Sequence, residues 1–233
     1  MVSLKGGATA VTDSATRLGW TFQRCAGLAG VAFSALILLG EILGNAPDEG
    51  MAGDEMLVEF YTDSGNQYRL YGAGLIGLFA GLLFLWFLVG LRDRLSRADP
   101  SGLPTLVLAA GLVFVVLASV GGAIGTALPA SLVYSDVLEI TDLDTLRVLL
   151  ILGNHWLAGA AASTAAIVVG GTSVTALRRR LFPGWCAWAG LAVALLLLPS
   201  MALFAGFTLV GLVAWTAAVG VWLARADRKL SKG

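Results

Sequence analysis

The sequence predicts an all-α transmembrane protein, a six-helix bundle with both termini cytoplasmic and a short amphipathic helix in its first outer loop. Three observations predict it. Of 233 residues, 58% are hydrophobic and 13% charged, against about 45–50% and about 25% in a soluble domain. So few charges cannot cover a soluble sphere of this size. The apolar residues also fall in blocks near the ~20 residues that cross a bilayer as a helix. Finally, the basic residues gather on every second connecting segment, the pattern of short loops that stay in the cytoplasm.

The spans run at roughly Cys25–Gly44, Leu70–Leu91, Thr105–Leu128, Val148–Leu177, Trp185–Leu203 and Gly206–Ala224. The fourth is long; its membrane part is expected to end near Gly171, with Thr172–Leu177 carrying the helix to the surface. Between spans five and six, Phe204–Gly206 leaves barely a turn, and Pro199 favours a kink or an early stop. Pro199–Gly206 therefore reads either as a tight hairpin or as a re-entrant break. The organisation that follows is a cytoplasmic tail over residues 1–24, a six-helix transmembrane domain over 25–224 and a basic cytoplasmic tail over 225–233. The first span exceeds the ~7–15 residues of a signal-peptide core, and its cleavage-like Gly44-Asn45-Ala46 is followed by Pro47, so it reads as a retained anchor. No transit segment or lipidation motif is visible at either end.

Charge sets the orientation. Lys5, Arg17 and Arg24 precede span one; Arg92, Arg94 and Arg97 follow span two. Arg178, Arg179 and Arg180 follow span four, and Arg225, Arg228, Lys229 and Lys232 follow span six. Thirteen of the fifteen basic residues thus share one side, leaving Arg69 and Arg147 on the other. The inner leaflet attracts such segments and the membrane potential opposes their export, so that side is cytoplasmic.

The outer loops are acidic, with Asp48, Glu49, Asp54, Glu55, Glu59 and Asp63 in the first and Asp136, Glu139, Asp142 and Asp144 in the second. These carboxylates solvate exposed loops or form a cation-attracting vestibule. Within the first loop, Met56, Leu57, Phe60 and Tyr61 share one helical face. Asp54 is a candidate N-cap with Glu55 in the first turn. The helix is expected to lie on the membrane surface or to lid the bundle mouth. Thr141-Asp142-Leu143-Asp144 reads as a cap opening span four.

Small residues recur at helix-contact spacing: Ala26, Gly30 and Ser34; Gly77 and Gly81; Gly121 and Gly125; Gly159 and Ser163. Burial from water does not drive association in lipid, so close backbone approach at small residues does. The same faces offer a route to a homo-oligomer or a protein partner, and membrane lipids are the expected surroundings. Trp20, Trp185, Trp188 and Trp222 fall near span ends, where amphipathic rings belong. A faint echo relates the Arg69-to-Leu112 and Arg147-to-Leu191 stretches, as in parallel repeats, although most of it is turn chemistry.

Few residues carry chemistry. Two cysteines and one histidine exclude a disulfide scaffold, a four-ligand Cys/His zinc site and bis-histidine haem. No nucleophile elbow, phosphate loop or nucleotide fingerprint appears, and no basic domain grips nucleic acid. No metal, cofactor or catalytic set is expected. Glu41 is the one charged residue inside a span, about one turn below its outer end. A carboxylate there is a site candidate by default; it can also reach water or pair with Arg69 or Arg147. Asn154 and His155 lie two turns into span four. Glu41 and His155 at similar depth can form a proton or ligand relay, or a structural staple in which His155 is satisfied by Glu41 or by a carbonyl.

The loop motifs carry a resemblance. Asn66–Leu70 leads into a span closing in Leu85-Trp86-Phe87 and Leu91-Arg92-Asp93-Arg94-Leu95. Asp144-Thr145-Leu146-Arg147 opens span four, and Arg180-Leu181-Phe182-Pro183-Gly184-Trp185 precedes span five. Over about residues 20–225 the chain resembles a family of six-helix integral membrane proteins abundant in actinobacteria, a domain of unknown function. The resemblance implies a bacterial plasma membrane and carries no site residues. The expected role is a structural or accessory membrane component or a binder of a hydrophobic ligand. The alternative is a small transporter or channel working through Glu41 and His155.

Overall fold

The structure, a computed structural model, describes residues 6–47, 52–134, 142–199 and 207–226. The helices are α1 (Gly6–Leu43), α2 (Asp54–Thr62), α3 (Ser64–Ala98), α4 (Leu103–Tyr134) and α5 (Leu143–Ile151). A π-helical segment, Leu152–Leu157, joins α5 to α6 (Ala158–Arg179); α7 (Gly184–Leu197) and α8 (Phe207–Ala226) follow. Among the described residues there is no strand. Four stretches are long and apolar enough to cross a membrane: Phe22–Leu43, Ser64–Ala98, Leu103–Tyr134 and Leu143–Arg179. The fold is all-α and built like that of a membrane protein. Helix α7 is 14 residues long, about 21 Å at 1.5 Å per residue. The expected end of span five at Leu203 and most of the Pro199–Gly206 connection lie outside the described residues, as do Thr141, Asp136 and Glu139.

Helix ends overrun the hydropathy boundaries. The α1 helix reaches back to Gly6, into the stretch read as a tail. The α3 helix starts at Ser64, where the Asp63 carboxylate accepts the Asn66 N–H at 2.8 Å. The α4 helix runs through Pro129 to Tyr134. Hydropathy marks where a helix is apolar. It does not mark where the backbone stops being helical, because polar ends carry on until a cap or breaker intervenes.

Among the described residues the long helices close into a ring. The α1 helix packs on α3, α3 on α4, α4 on the π segment and α6, α6 on α7, α7 more lightly on α8, and α8 back on α1. Phe84 sits at the centre of one aromatic cluster, with ring centroids 4.6 Å from Phe33, 5.0 Å from Phe114 and 5.8 Å from Phe87. Ile42, Phe79, Trp86, Val116 and Leu195 instead face outward, a greasy exterior suited to lipid and foreign to a soluble domain.

The small residues divide between partners. Ala26 lies against Gly90 of α3, Gly30 against the Phe87 ring and Gly27 against the Gly220 backbone of α8. The Ser34 hydroxyl donates to the carbonyls of Gly30 and Val213, each at 3.0 Å. The Gly77/Gly81 pair is split: Gly81 meets Val115 of α4, while Gly77 is exposed with nothing within 4 Å.

One end of the bundle carries α2. Leu57 and Tyr61 are buried among Leu70, Leu146 and Leu150, with Phe60 beside them, so the helix lids the bundle. Met56 points outward despite the shared face. Asp54 is not the cap: the N-cap is Gly53, and the Asp54 carboxylate is engaged by Arg147, which donates to it and to the Ala52 carbonyl at 2.7 Å each. The α5 cap is Asp142, which accepts the N–H groups of Asp144 and Thr145 and the Thr145 hydroxyl. Led by that hydroxyl, these donors hold its carboxyl below the usual carboxylate range.

The opposite end is rich in arginine. Gln23 of α1 donates to Asp93 of α3 at 2.6 Å, and Asp93 also pairs with Arg97. Asp99, its side chain 5% exposed, pairs with Arg179 at 3.2 Å and so ties the α3–α4 turn to α6. The Ser101 N–H, aided by Arg179 and opposed by desolvation, lowers the Asp99 carboxyl below its ordinary range. A group with a depressed pKa stabilises the fold above its unfolded pKa, and that contribution is lost as pH falls through the lowered value. Asp99→Asn is therefore expected to melt lower than wild type at neutral pH, with the two curves converging at acid pH below the carboxylate range. Thermal unfolding in detergent across pH tests this, and a constant difference down to acid pH would count against it.

Candidate functional site

Among the described residues, both helices depart from regular α geometry where α4 meets the π segment. Pro129, inside α4, has no N–H and leaves the carbonyl four residues back, that of Gly125, without its helical donor. Opposite it, the chain widens into the π helix Leu152–Leu157; such turns arise where a helix carries one residue too many, often at functional sites. The two irregular backbones touch. A Cβ on Gly153 would sit 2.8 Å from both the Gly121 carbonyl oxygen and the Gly125 nitrogen; one on Gly121 would sit 2.9 Å from the Gly153 oxygen. Only glycine permits that approach. The Asn154 side chain lies directly against Gly125.

From this turn three polar-capable side chains spread. Asn154 reaches toward α4, His155 is half-buried with Nδ1 enclosed by protein, and Trp156 is exposed. An amide beside an imidazole can donate and accept hydrogen bonds in a dry setting, which suits a polar headgroup or a proton in transit. The Trp156 face suits lipid.

Glu41 is elsewhere around the ring. Gly40 of α1 and Gly44 just beyond its end lie against Ala73 of α3, Gly74 of α3 against Thr126 of α4, and Gly125 of α4 against Asn154. Glu41 and His155 therefore sit at one level, with α3 and α4 between them on that side. The Glu41 side chain is exposed and joins no hydrogen bond or ion pair among the described residues. Its two expected basic neighbours are engaged elsewhere: Arg69 donates to the Asn45 carbonyl at 2.8 Å and lies over the Phe60 ring, and Arg147 holds Asp54. The structure brings Asn154 and His155 together on one turn and does not bring Glu41 to them.

A second polar feature escaped the sequence. Thr172, Ser173 and Thr175, within the stretch expected to carry the helix to the membrane surface, are fully buried against neighbouring helices. Helices α7 and α8 cover them: the Ser173 hydroxyl lies against Gly190 of α7, next to the indole nitrogen of Trp215 on α8. Thr175 bonds back to the Gly171 carbonyl at 2.9 Å. The hydroxyls of Thr172, Ser173 and Thr216 make no hydrogen bond among the described residues. Hydroxyl residues in an apolar helix give no hydropathy signal of being core.

Among the described residues, no three His, Cys, Asp or Glu side chains gather as for a metal ion. A shallow depression of about 320 Å³, lined by Pro47, Met56, Glu59, Phe60, Asp63 and Asn66, opens beside α2. No residue of the π turn lines it. No protein family, curated protein or solved structure matches this chain.

Proposed function

We propose that the chain is an integral membrane component of structural or accessory role, with six spans, both termini in the cytoplasm and the α2 lid outside. The observation that carries this reading is how the helix seams are filled. Glycine brings backbones into contact along α1–α8 and α4–π, and along α1–α3 it makes room for the Ala26 methyl and the Phe87 ring, while Glu41, the one charged residue inside the expected spans, is exposed. Seams closed in this way leave no room for a polar side chain at those contacts. The arginine-rich end supports the orientation, and the bacterial plasma membrane is what the resemblance to the actinobacterial membrane-protein family implies. A transport reading keeps one observation in its favour, the π turn facing the proline-bearing α4, since broken helices form ion and substrate sites in transporters. It would run through Asn154 and His155 without Glu41.

Single reporter cysteines in a background lacking Cys25 and Cys186 test the orientation. Gly53→Cys is expected to react with an impermeant thiol reagent on sealed cells and Ser96→Cys to stay unlabelled; labelling at Ser96 would reverse the topology. A double-mutant cycle tests whether Glu41 and His155 form the relay that their similar depth suggested. Glu41→Gln and His155→Gln are expected to add within ~0.5 kcal/mol in detergent unfolding, as for sites sharing no partner. A coupling of ~1 kcal/mol or more would bring Glu41 back into one network with His155.

A further inference from the structure

The loop from α6 to α7 presents charge and aromatic surface in an ordered sequence. Arg178, Arg179 and Arg180 are exposed at the end of α6. Arg179 is shared with Asp99; among the described residues Arg178 and Arg180 make no ion pair. Phe182 plugs into the bundle with its ring centroid 4.4 Å from that of Trp222, which fixes the loop. Trp185 and Trp188, 74% and 66% exposed, then open α7 on one outward face, which continues through Ala192, Leu195 and Leu196. Guanidinium, indole and aliphatic groups follow one another in the order of a phospholipid's headgroup, glycerol region and acyl chain.

The backbone adds an independent sign. Arg180 caps α6 at φ 51, the one non-glycine residue with positive φ among the described residues. Its N–H and that of Leu181 both donate to the Ala176 carbonyl. This is the left-handed position that glycine fills without steric cost and a residue with a Cβ, such as arginine, does not. An arginine there sacrifices local stability, which points to a use for its side chain.

We propose that Arg178, Arg180, Trp185 and Trp188 form a binding site for an anionic phospholipid. The two guanidinium groups engage the phosphate, which carries the lipid's negative charge when no headgroup cation offsets it, the indoles lie at the glycerol level, and the acyl chains run down the outward face of α7. The site rests on the proposed orientation only for the leaflet it occupies, the cytoplasmic one.

The test uses the full chain in detergent micelles with added phosphatidylglycerol or phosphatidylcholine, reading lipid retention by native mass spectrometry and the melting temperature. Phosphatidylglycerol is expected to bind on the order of tenfold more tightly, from about 1 kcal/mol per basic residue near an anionic surface. The double substitution Arg178→Gln with Arg180→Gln is expected to abolish the preference, and Arg92→Gln, an exposed arginine at the same end, to keep it. Arg180→Gly guards against misfolding: it relieves the left-handed position, so in phosphatidylcholine it is expected to melt no lower than wild type while losing preference. Equal binding of both lipids, a preference surviving either Arg180 variant, or the same stabilisation from inorganic phosphate alone would overturn the proposal. The micelle readout does not depend on sidedness, so reversed cysteine labelling would sink the orientation and leave the lipid site standing.

Discussion

Gly27→Val is expected to open the ring. Even a methyl group at this position would lie 2.5 Å from the Gly220 carbonyl oxygen and 2.6 Å from the Ala224 nitrogen. These are backbone atoms of α8, which cannot rotate aside as a side chain does. The reciprocal contact is as close, since a Cβ on Gly220 would meet the Gly27 oxygen at 2.7 Å. The α1–α8 seam joins the N-terminal helix to the C-terminal one, so separating it breaks the ring at its closure. Overpacking typically costs ~1–3 kcal/mol, and with backbone on both sides the loss is expected at or above the top of that range. Unfolding in detergent measures it. Gly77→Val is the control: it is exposed with nothing within 4 Å and is expected to change stability by less than ~0.5 kcal/mol. Equal losses at both positions would mean that α1 and α8 do not meet at these glycines.

Gly153→Ala is expected to be the second most damaging of these substitutions, despite adding only one methyl group. Its Cβ would enter the gap between the Gly121 oxygen and the Gly125 nitrogen, each at 2.8 Å, with the Gly125 Cα at 3.2 Å. Relief requires the π segment to leave α4 or to rewind, and rewinding turns every later residue of α6 about the helix axis. A loss of about 2–3 kcal/mol is expected, with faster amide exchange over residues 152–157. In an unconstrained helix the same change would stabilise by up to about 1 kcal/mol through helix propensity. Gly122→Ala, with nothing within 4 Å, is expected to show that opposite sign. If Gly153→Ala behaves like Gly122→Ala, the backbones of α4 and the π turn are not in contact.

These two positions also mark how far the sequence could be read. Gly30, Gly121 and Gly125 stood out by their spacing of four, but Gly27 and Gly153 belong to no such series and have the tightest backbone contacts beside Gly220. The lid was legible because the alternation of Leu57, Phe60 and Tyr61 with acidic residues marks one face in water. Which way Met56 points was not, since a four-residue apolar cluster on a short helix is wider than the surface it covers. Of the candidate site, Asn154 and His155 were visible as polar residues in an apolar run. Their π turn was not, because nothing in Leu152–Leu157 departs from the composition of an ordinary helix. The capping role expected of Asp54 gave way to Arg147, a residue 93 positions further along the chain.

By itself, then, the sequence determined the all-α class, the apolar stretches, the acidic and basic ends and the short list of polar residues within the helices. Each of these is a local property, recorded in consecutive residues. The tertiary structure alone decided that Glu41 faces outward while Ser173 faces inward, that α1 closes on α8, and that α4 and the π turn meet backbone to backbone. The reason is the solvent. In water a helix shows its inner face by being apolar there and polar elsewhere. A helix surrounded by lipid is apolar on every side, so the contrast that would reveal its orientation is absent. What remains is the fit of small residues against particular neighbours, and that fit exists only once the helices are side by side.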